Sequence, residues 1–402
     1  MNVLFLTLAK INIHNNGIYS DLMRCFASHG HSLYIVSPIE RKYNQRTILT
    51  SDENVHYLQV RTLNIQKTNI VEKGIATLLL ENQFCNAISH YFKNVHFDLL
   101  VYSTPPITFA KVIKYVKKHN PLATSYLLLK DIFPQNAVDL GMFSNKSLIY
   151  QYFRRKEVDL YRLSDYIGCM SPKNVEYILQ HNPNIDKQHV EIAPNSVEVV
   201  PLKELSHQEK EDILTKYAIP KDKIIFIYGG NLGKPQGIPF LIQCLDTNKY
   251  RNDCHFVIVG NGTEYNILQN WYHANKPNNV SLLKVLPKEE YDQLVKAADV
   301  GLIFLDYRFT IPNFPSRLLP YMQYKMPIIA ATDPNTDVGS IIQENQLGYT
   351  CPSNDSLAFS KCVDEMLLAN RAQMGQNAYS YLCAHYTVEH TYNAIVKHIE
   401  HV

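Results

Sequence analysis

Apolar runs of five or six residues alternate along this chain with amphipathic segments of ten or more. That is the pattern of parallel strands buried on both faces and joined by covering helices. The runs form two series. The first predicts strands at 3–8, 32–37, 99–102, 124–129, 167–170 and 190–193, and the second at 223–228, 255–259, 280–283, 300–305, 327–331 and 347–350. Between them, Pro194-Asn195-Ser196-Val197 and a polar run over 203–216 break the strand pattern, which places a hinge near 195–202. After the second series come three amphipathic segments without strands, at 357–370, 372–385 and 388–400. The fold class expected is α/β, with two domains at 1–198 and 199–385.

Length agrees with this division, because 402 residues exceed what one compact core usually holds. Charge narrows the partners: 39 basic against 37 acidic side chains leave a net charge of +2, so no whole-chain field favours nucleic acid. The eight cysteines are scattered, with no C-x-x-C pair and no paired histidines at zinc-type spacing, and are read as reduced, buried thiols. The first residues, Met1-Asn2-Val3-Leu4-Phe5-Leu6-Thr7, read as a strand and lack the features of a signal peptide; a cytoplasmic protein is expected. No window reaches the roughly 18 apolar residues of a spanning helix, so any membrane contact would be peripheral.

The candidate chemistry lies where predicted strands end. Open parallel sheets bind ligands outside the carboxyl ends of their strands, and helix N-termini there attract anions. After strand 300–305 comes Ile311-Pro312-Asn313-Phe314-Pro315-Ser316-Arg317-Leu318-Leu319-Pro320. Pro315 suits a first helical position, with the Ser316 hydroxyl and Arg317 guanidinium beside a bound phosphate. A helix begun there would have Pro320 in its interior, at a cost of about 3 kcal/mol. Either the helix starts later or the irregularity is retained beside a ligand. Tyr228-Gly229-Gly230-Asn231-Leu232-Gly233-Lys234-Pro235-Gln236-Gly237 forms a second strand-to-helix loop, whose glycines and lysine suit a diphosphate. Gly260 belongs to a tight turn after the next strand, and Pro287 to a segment whose backbone could pair with the edge of a base.

In the first half, His14-Asn15-Asn16-Gly17 precedes a helix, where a glycine offers close approach and unpaired amides. Lys130-Asp131 ends a strongly apolar strand and is read as a charged pair directed at an interdomain crevice. Asp131 could orient an acceptor hydroxyl or stabilise positive charge on a sugar ring, or could simply cap the helix starting near Pro134. Two segments, 71–92 with Ile75, Leu78, Leu79, Leu80 and Phe84, and 150–156 with Tyr152, Phe153, Arg154, Arg155 and Lys156, are compatible with interfacial docking or with a core-facing helix.

Together these segments resemble the retaining GT-B group of glycosyltransferase family 4 over essentially the whole chain. A narrower resemblance is to the N-acetyl-L-fucosamine transferases of O-antigen and capsule assembly. It is carried by the run 14–22 with Gly30-His31, Asp131-Ile132-Phe133-Pro134-Gln135, the run 229–237, and the run 311–319 with Thr332-Asp333-Pro334-Asn335-Thr336-Asp337. The resemblance implies two Rossmann-like domains facing a central cleft, with a final helix, about 386–402, crossing back to the first domain. The donor it implies is a UDP-sugar, with UDP-N-acetyl-L-fucosamine indicated. The acceptor would be a sugar on polyprenyl diphosphate at the inner face of the cytoplasmic membrane, with no metal and no other cofactor.

Under that reading Asp131, Lys234 and Arg317 are catalytic. Gly17, Gly230, Asn231, Lys234, Gln236, Gly260, Pro287, Phe314, Pro315, Ser316 and Arg317 bind the donor, with Asp337 and Gly339 near the nucleotide. His14, Asn16, Lys130 and Asp131 bind the acceptor. The sequence departs from the family in having Pro312 and Pro320 where two glutamates are usual. It also has Asn231 and Gln236 where Arg and Lys hold the diphosphate, leaving Lys234 and Arg317 as replacement charges. A GT-B UDP-sugar epimerase and an inactive GT-B binding subunit of a polysaccharide assembly complex are the alternatives.

Overall fold

The structure is a computed structural model that describes residues 1–65, 70–201 and 204–399. The far end of the expected hinge, at 202, the start of the polar run, at 203, and the end of the last expected helix, at 400, lie outside the described residues. The chain divides into two compact units, Met1–Glu198 with Thr387–Val402, and Val199–Tyr386.

The first unit is built on a sheet of eight strands: β1 (Asn2–Leu6), β2 (Ser32–Glu40), β3 (Ile48–Asp52), β4 (Val55–Thr62), β5 (Leu99–Ser103), β6 (Thr124–Leu129), β7 (Tyr166–Cys169) and β8 (Val190–Ile192). Their order is β3-β4-β2-β1-β5-β6-β7-β8, parallel throughout except for the β3–β4 hairpin. That hairpin was not predicted. Strand β3 has no buried residue and β4 mixes buried with half-exposed positions, so neither shows a continuous apolar run. The helix Val388–Val396 belongs to this unit and packs on the helix Ile18–Ser28, the rings of Tyr392 and Phe26 meeting edge to face at 4.8 Å.

The second unit has six strands: β9 (Ile224–Asn231), β10 (Cys254–Asn261), β11 (Val280–Leu283), β12 (Val300–Phe304), β13 (Ile328–Thr332) and β14 (Gly348–Pro352). All are parallel, in the order β11-β10-β9-β12-β13-β14. Each lies at or within three residues of a predicted strand, because strands buried on both faces read as unbroken apolar runs. Phe226, Phe256, Phe304 and Phe359 form the aromatic centre of the core, and each fully buried side chain contributes about 1.5–3 kcal/mol. The strand order reverses between β9 and β12, which makes that junction the topological switch point.

Candidate functional site

Strands β9 and β10 pair along their whole length, but β9 and β12 pair only at Phe226–Val300 and Ile227–Gly301. Beyond Ile227 the two central strands part. Tyr321 fills the base of the gap, its hydroxyl donating toward the carbonyls of Ile227 (3.2 Å) and Leu302 (3.3 Å). Gly301 permits this, since a Cβ there would stand 2.5 Å from the Tyr321 ring. Gly229 likewise makes room for Tyr291, whose hydroxyl burial pushes up to about 12.

Into this tyrosine-lined opening runs Arg317. Its guanidinium lies 4.2 Å from the centre of the Tyr228 ring, a cation–π contact. Its Nη1 is buried and has no hydrogen-bond partner among the described residues. Gly230, with φ of 124°, passes so close that a Cβ would be 3.4 Å from Arg317 Nη2. A buried cation with an unused donor, beside backbone kept bare of side chain at the switch point, is suited to an anionic ligand.

The surrounding loops are braced from within. Tyr228 donates to the Asn231 carbonyl at 2.8 Å, while Gln236 Oε1 accepts from Asn231 Nδ2 at 2.9 Å and from the Gly233 amide at 3.3 Å. Asn231 and Gln236 therefore shape the loop. Lys234 is exposed at the tip and its ammonium makes no hydrogen bond or ion pair among the described residues. The Asp306 amide donates to the Pro235 carbonyl at 3.0 Å, tying the loops after β9 and β12 together. Asp306 also holds Arg308 at 2.7 Å. After β13, Asp333 accepts from the amides of Asn335 and Thr336 at 2.8 and 3.1 Å. Asn335 and Thr336 in turn donate to the carbonyls of Phe309 and Asn313, each at 2.6 Å.

The loop 305–317 is longer than expected. The helix is Leu318–Gln323, not one begun at Pro315, whose carbonyl accepts from Leu318. Pro320 thus sits in the first turn, where a missing N–H costs nothing, and the Ser316 carbonyl is satisfied by Leu319 at 3.2 Å. Phe314 turns into the unit, 5.9 Å from the Tyr386 ring, while Ser316 is exposed. Gly260 serves close packing: a Cβ there would lie 1.9 Å from the Gly230 carbonyl oxygen. Pro287 is exposed beyond the edge strand β11. Asp337 precedes the helix Val338–Glu344, in which Gly339 lies under Thr332.

Residues 209–381, all within the second unit, match the family model for glycosyl transferases group 1. The second unit is a glycosyltransferase domain. Over 279 residues the chain is 25% identical to the probable glycosyltransferase WbjE of Pseudomonas aeruginosa, covering 69% of this chain and 66% of the relative, just under two thirds. Its fold matches sucrose-phosphate synthase of Thermosynechococcus elongatus, with a TM-score of 0.77 at 13% identity over 100% of this chain and 98% of the other. It also matches Anabaena Alr3699/HepE in complex with UDP, with a TM-score of 0.70 at 14% identity over 100% of both chains. The architecture is therefore that of GT-B glycosyltransferases: two Rossmann-like units, each on a parallel sheet.

In the first unit, several expectations need correction. The Gly17 amide is not open to a substrate, because it donates to Asp21 Oδ1 at 3.0 Å. His14 is exposed and paired with Asp52 at 2.6 Å, and Asn16 is exposed beside it. Lys130 turns inward to donate to the Ala193 carbonyl at 2.9 Å, with burial lowering its pKa to about 7. It is not paired with Asp131. Asp131 does not cap the helix Gln135–Asp139. Its two oxygens accept from Asn136 Nδ2 at 2.8 and 2.9 Å, and burial raises its carboxyl to about 6, with Asn136 opposing the rise. Thr104 Oγ1 receives the Lys130 and Asp131 amides and donates to the Asp131 carbonyl, fixing the strand end.

Of the docking segments, Leu80 and Phe84 are core residues, whereas Ile75, Leu78 and Leu79 are exposed, with Leu78 at 58%. Arg154 and Lys156 are taken up by Glu157 and Glu81. No helix among the described residues is long and apolar enough to cross a membrane. Sequence reasoning missed Tyr228, Tyr291 and Tyr321. Their only local signal is tyrosine abutting glycine in the first case and standing four residues after Arg317 in the last.

Proposed function

We propose that this glycosyltransferase transfers a sugar with retention from a UDP-sugar to a saccharide carried on polyprenyl diphosphate, in polysaccharide assembly. The single observation that carries the donor assignment is Arg317, a buried guanidinium with an unused donor at the switch point of a group 1 glycosyltransferase domain. The solved neighbour in complex with UDP supports the nucleotide, and the name of the WbjE relative supports glycosyl transfer. N-acetyl-L-fucosamine is the sugar to which the motif resemblance points.

In this reading, the bond from the anomeric carbon to the β-phosphate oxygen breaks, and negative charge collects on the departing UDP. Arg317 and Lys234 stabilise that charge, Arg317 from a site of low water content where each contact is worth more than in solvent. Asn231, Gln236 and the glycines hold the loop that presents Lys234. The acceptor hydroxyl attacks on the face the diphosphate leaves, its proton passing to the leaving phosphate oxygen. No protein nucleophile is needed. Asp131 is assigned to orienting the acceptor, and Ile75, Leu78 and Leu79 to peripheral contact with the membrane that carries it.

The test is UDP release from a panel of UDP-sugars, with UDP-N-acetyl-L-fucosamine and UDP-N-acetylglucosamine among them, with and without a polyprenyl-diphosphate-linked sugar. Acceptor-dependent release from one donor is expected. Failure to bind UDP at all would overturn the donor site; UDP binding without release from any donor would overturn the substrate assignment.

A further inference from the structure

Just before the amino-terminal start of β2, three side chains of metal-binding type converge where the returning C-terminal segment meets the helix Ile18–Ser28. Cys25 lies on that helix, His29 follows it four residues later, and Glu389 is in the first turn of the helix Val388–Val396. One ligand atom from each lies within 4.8 Å of the other two. Cys25 Sγ is 3.4 Å from Glu389 Oε1, and His29 Nε2 is 3.7 Å from Glu389 Oε2.

The geometry points to a zinc site formed by Cys25, His29 and Glu389. Bonds of about 2.3 Å to sulfur and 2.0–2.2 Å to nitrogen and oxygen imply ligand-to-ligand edges of roughly 3.3–3.6 Å in a tetrahedron. The Cys25–Glu389 edge lies in that range, the His29–Glu389 distance runs to the other carboxylate oxygen and lies just outside it, and one ligand atom from each residue stands within 4.8 Å of the others before any metal has drawn them together. The support around them is also that of a metal ligand. His29 Nδ1 is 2.9 Å from the Cys25 carbonyl oxygen, which leaves Nε2 as the ring nitrogen with a lone pair to give. The imidazole is held by stacking on Tyr392, with ring centres 4.1 Å apart and 23° between planes.

Thiolate and imidazole select zinc over magnesium or calcium, which prefer oxygen. On binding, the Cys25 S–H bond breaks, its proton leaves to solvent, and the thiolate donates its electron pair to the metal. His29 and Glu389 are exposed, so the fourth position is open to solvent. The site would fasten the C-terminal segment to the first unit just beyond Thr387, where the chain returns to it. That fastening is separate from the donor site.

The experiment uses the full chain stripped with chelator, then titrated with Co²⁺ while following thiolate-to-cobalt charge transfer, and with Zn²⁺ while following bound metal and Tm. One metal per chain, a charge-transfer band and a Tm raised by Zn²⁺ are expected. Cys25→Ser should abolish the band, and His29→Asn and Glu389→Gln should each weaken binding at least about tenfold. Because His29 and Glu389 are exposed, their variants remain decisive if Cys25→Ser does not fold. Absence of the band, or equal binding by wild type and the His29 and Glu389 variants, would overturn the site. Either result would leave Cys25 as a thiol hydrogen-bonded to a carboxylate.

Discussion

Replacing Arg317 by Met keeps much of the volume of the side chain and removes its charge, which separates a ligand-binding role from a packing role. In the free protein two effects oppose each other. Met loses the contact with Tyr228, worth about 0.5–2 kcal/mol for a desolvated cation over an aromatic ring. It also removes a buried donor without a partner, whose desolvation costs about 1–3 kcal/mol. The free variant should therefore unfold within about 1–2 kcal/mol of wild type, in either direction. With UDP the effects no longer cancel. Saturation at 100 times Kd stabilises by about 2.7 kcal/mol, and each tenfold loss of affinity removes about 1.4 kcal/mol of that.

A lost donor to developing phosphate charge should cost about 2.7–4 kcal/mol in the transition state, or roughly 100–1000-fold in turnover. Thermal unfolding with and without UDP, together with UDP-release kinetics at saturating donor, reads all three quantities. A variant that keeps turnover within about threefold and the full UDP shift would refute the reasoning, and a loss of about 3 kcal/mol in the free protein would make Arg317 a packing residue.

Lys234→Ala should lower turnover at saturating donor by about 10–100-fold, the worth of one charge-assisted contact, and leave Tm unchanged because the side chain is exposed and unbonded; unaltered turnover would remove it from the reaction. Burial raises the Asp131 carboxyl from 3.8 to about 6, so the fold favours its neutral form and loses that preference as pH rises through about 6. Asp131→Asn should therefore gain stability over wild type as pH rises, by at most about 2–3 kcal/mol above pH 7 and by nothing near pH 4, as urea midpoints would show. Gly260→Ala should destabilise by about 3 kcal/mol or more, since its Cβ would meet the Gly230 carbonyl. Gly74→Ala, which meets nothing within 4 Å on a helix, should be neutral or stabilise by up to about 1 kcal/mol in the same denaturation assay. Leu78→Asp with Leu79→Asp should abolish flotation with anionic liposomes if the exposed row docks; flotation unchanged by the pair would move the membrane contact elsewhere.

The sequence by itself determined the two parallel sheets. Strands such as Thr124–Leu129 and Ile328–Thr332 are buried on both faces, and a run that must be apolar on both faces cannot be hidden from a local reading. It also located the loops at the carboxyl ends of β9 and β12, because glycine and proline mark places where the backbone departs from regular structure. The β3–β4 hairpin escaped because an exposed strand is held by backbone hydrogen bonds, which carry no side-chain pattern.

Only the tertiary structure decided how the site residues are used. That Gly17 is occupied by Asp21, that Lys130 turns to Ala193 and that Arg154 and Lys156 are already paired depends on neighbours in space whose partners local residue types do not name. Arg317 was legible as a charge near a phosphate site. Its exceptional character, a cation over Tyr228 with a donor left over, exists only because β9 and β12 separate after Ile227 and Tyr321 fills the base of the gap. The Cys25, His29 and Glu389 cluster is the extreme case, because residues far apart in sequence become neighbours only when the last helix packs on the first. Periodicity and breakers are local properties and survive in one dimension, whereas burial of a charge and convergence of ligands are properties of packing.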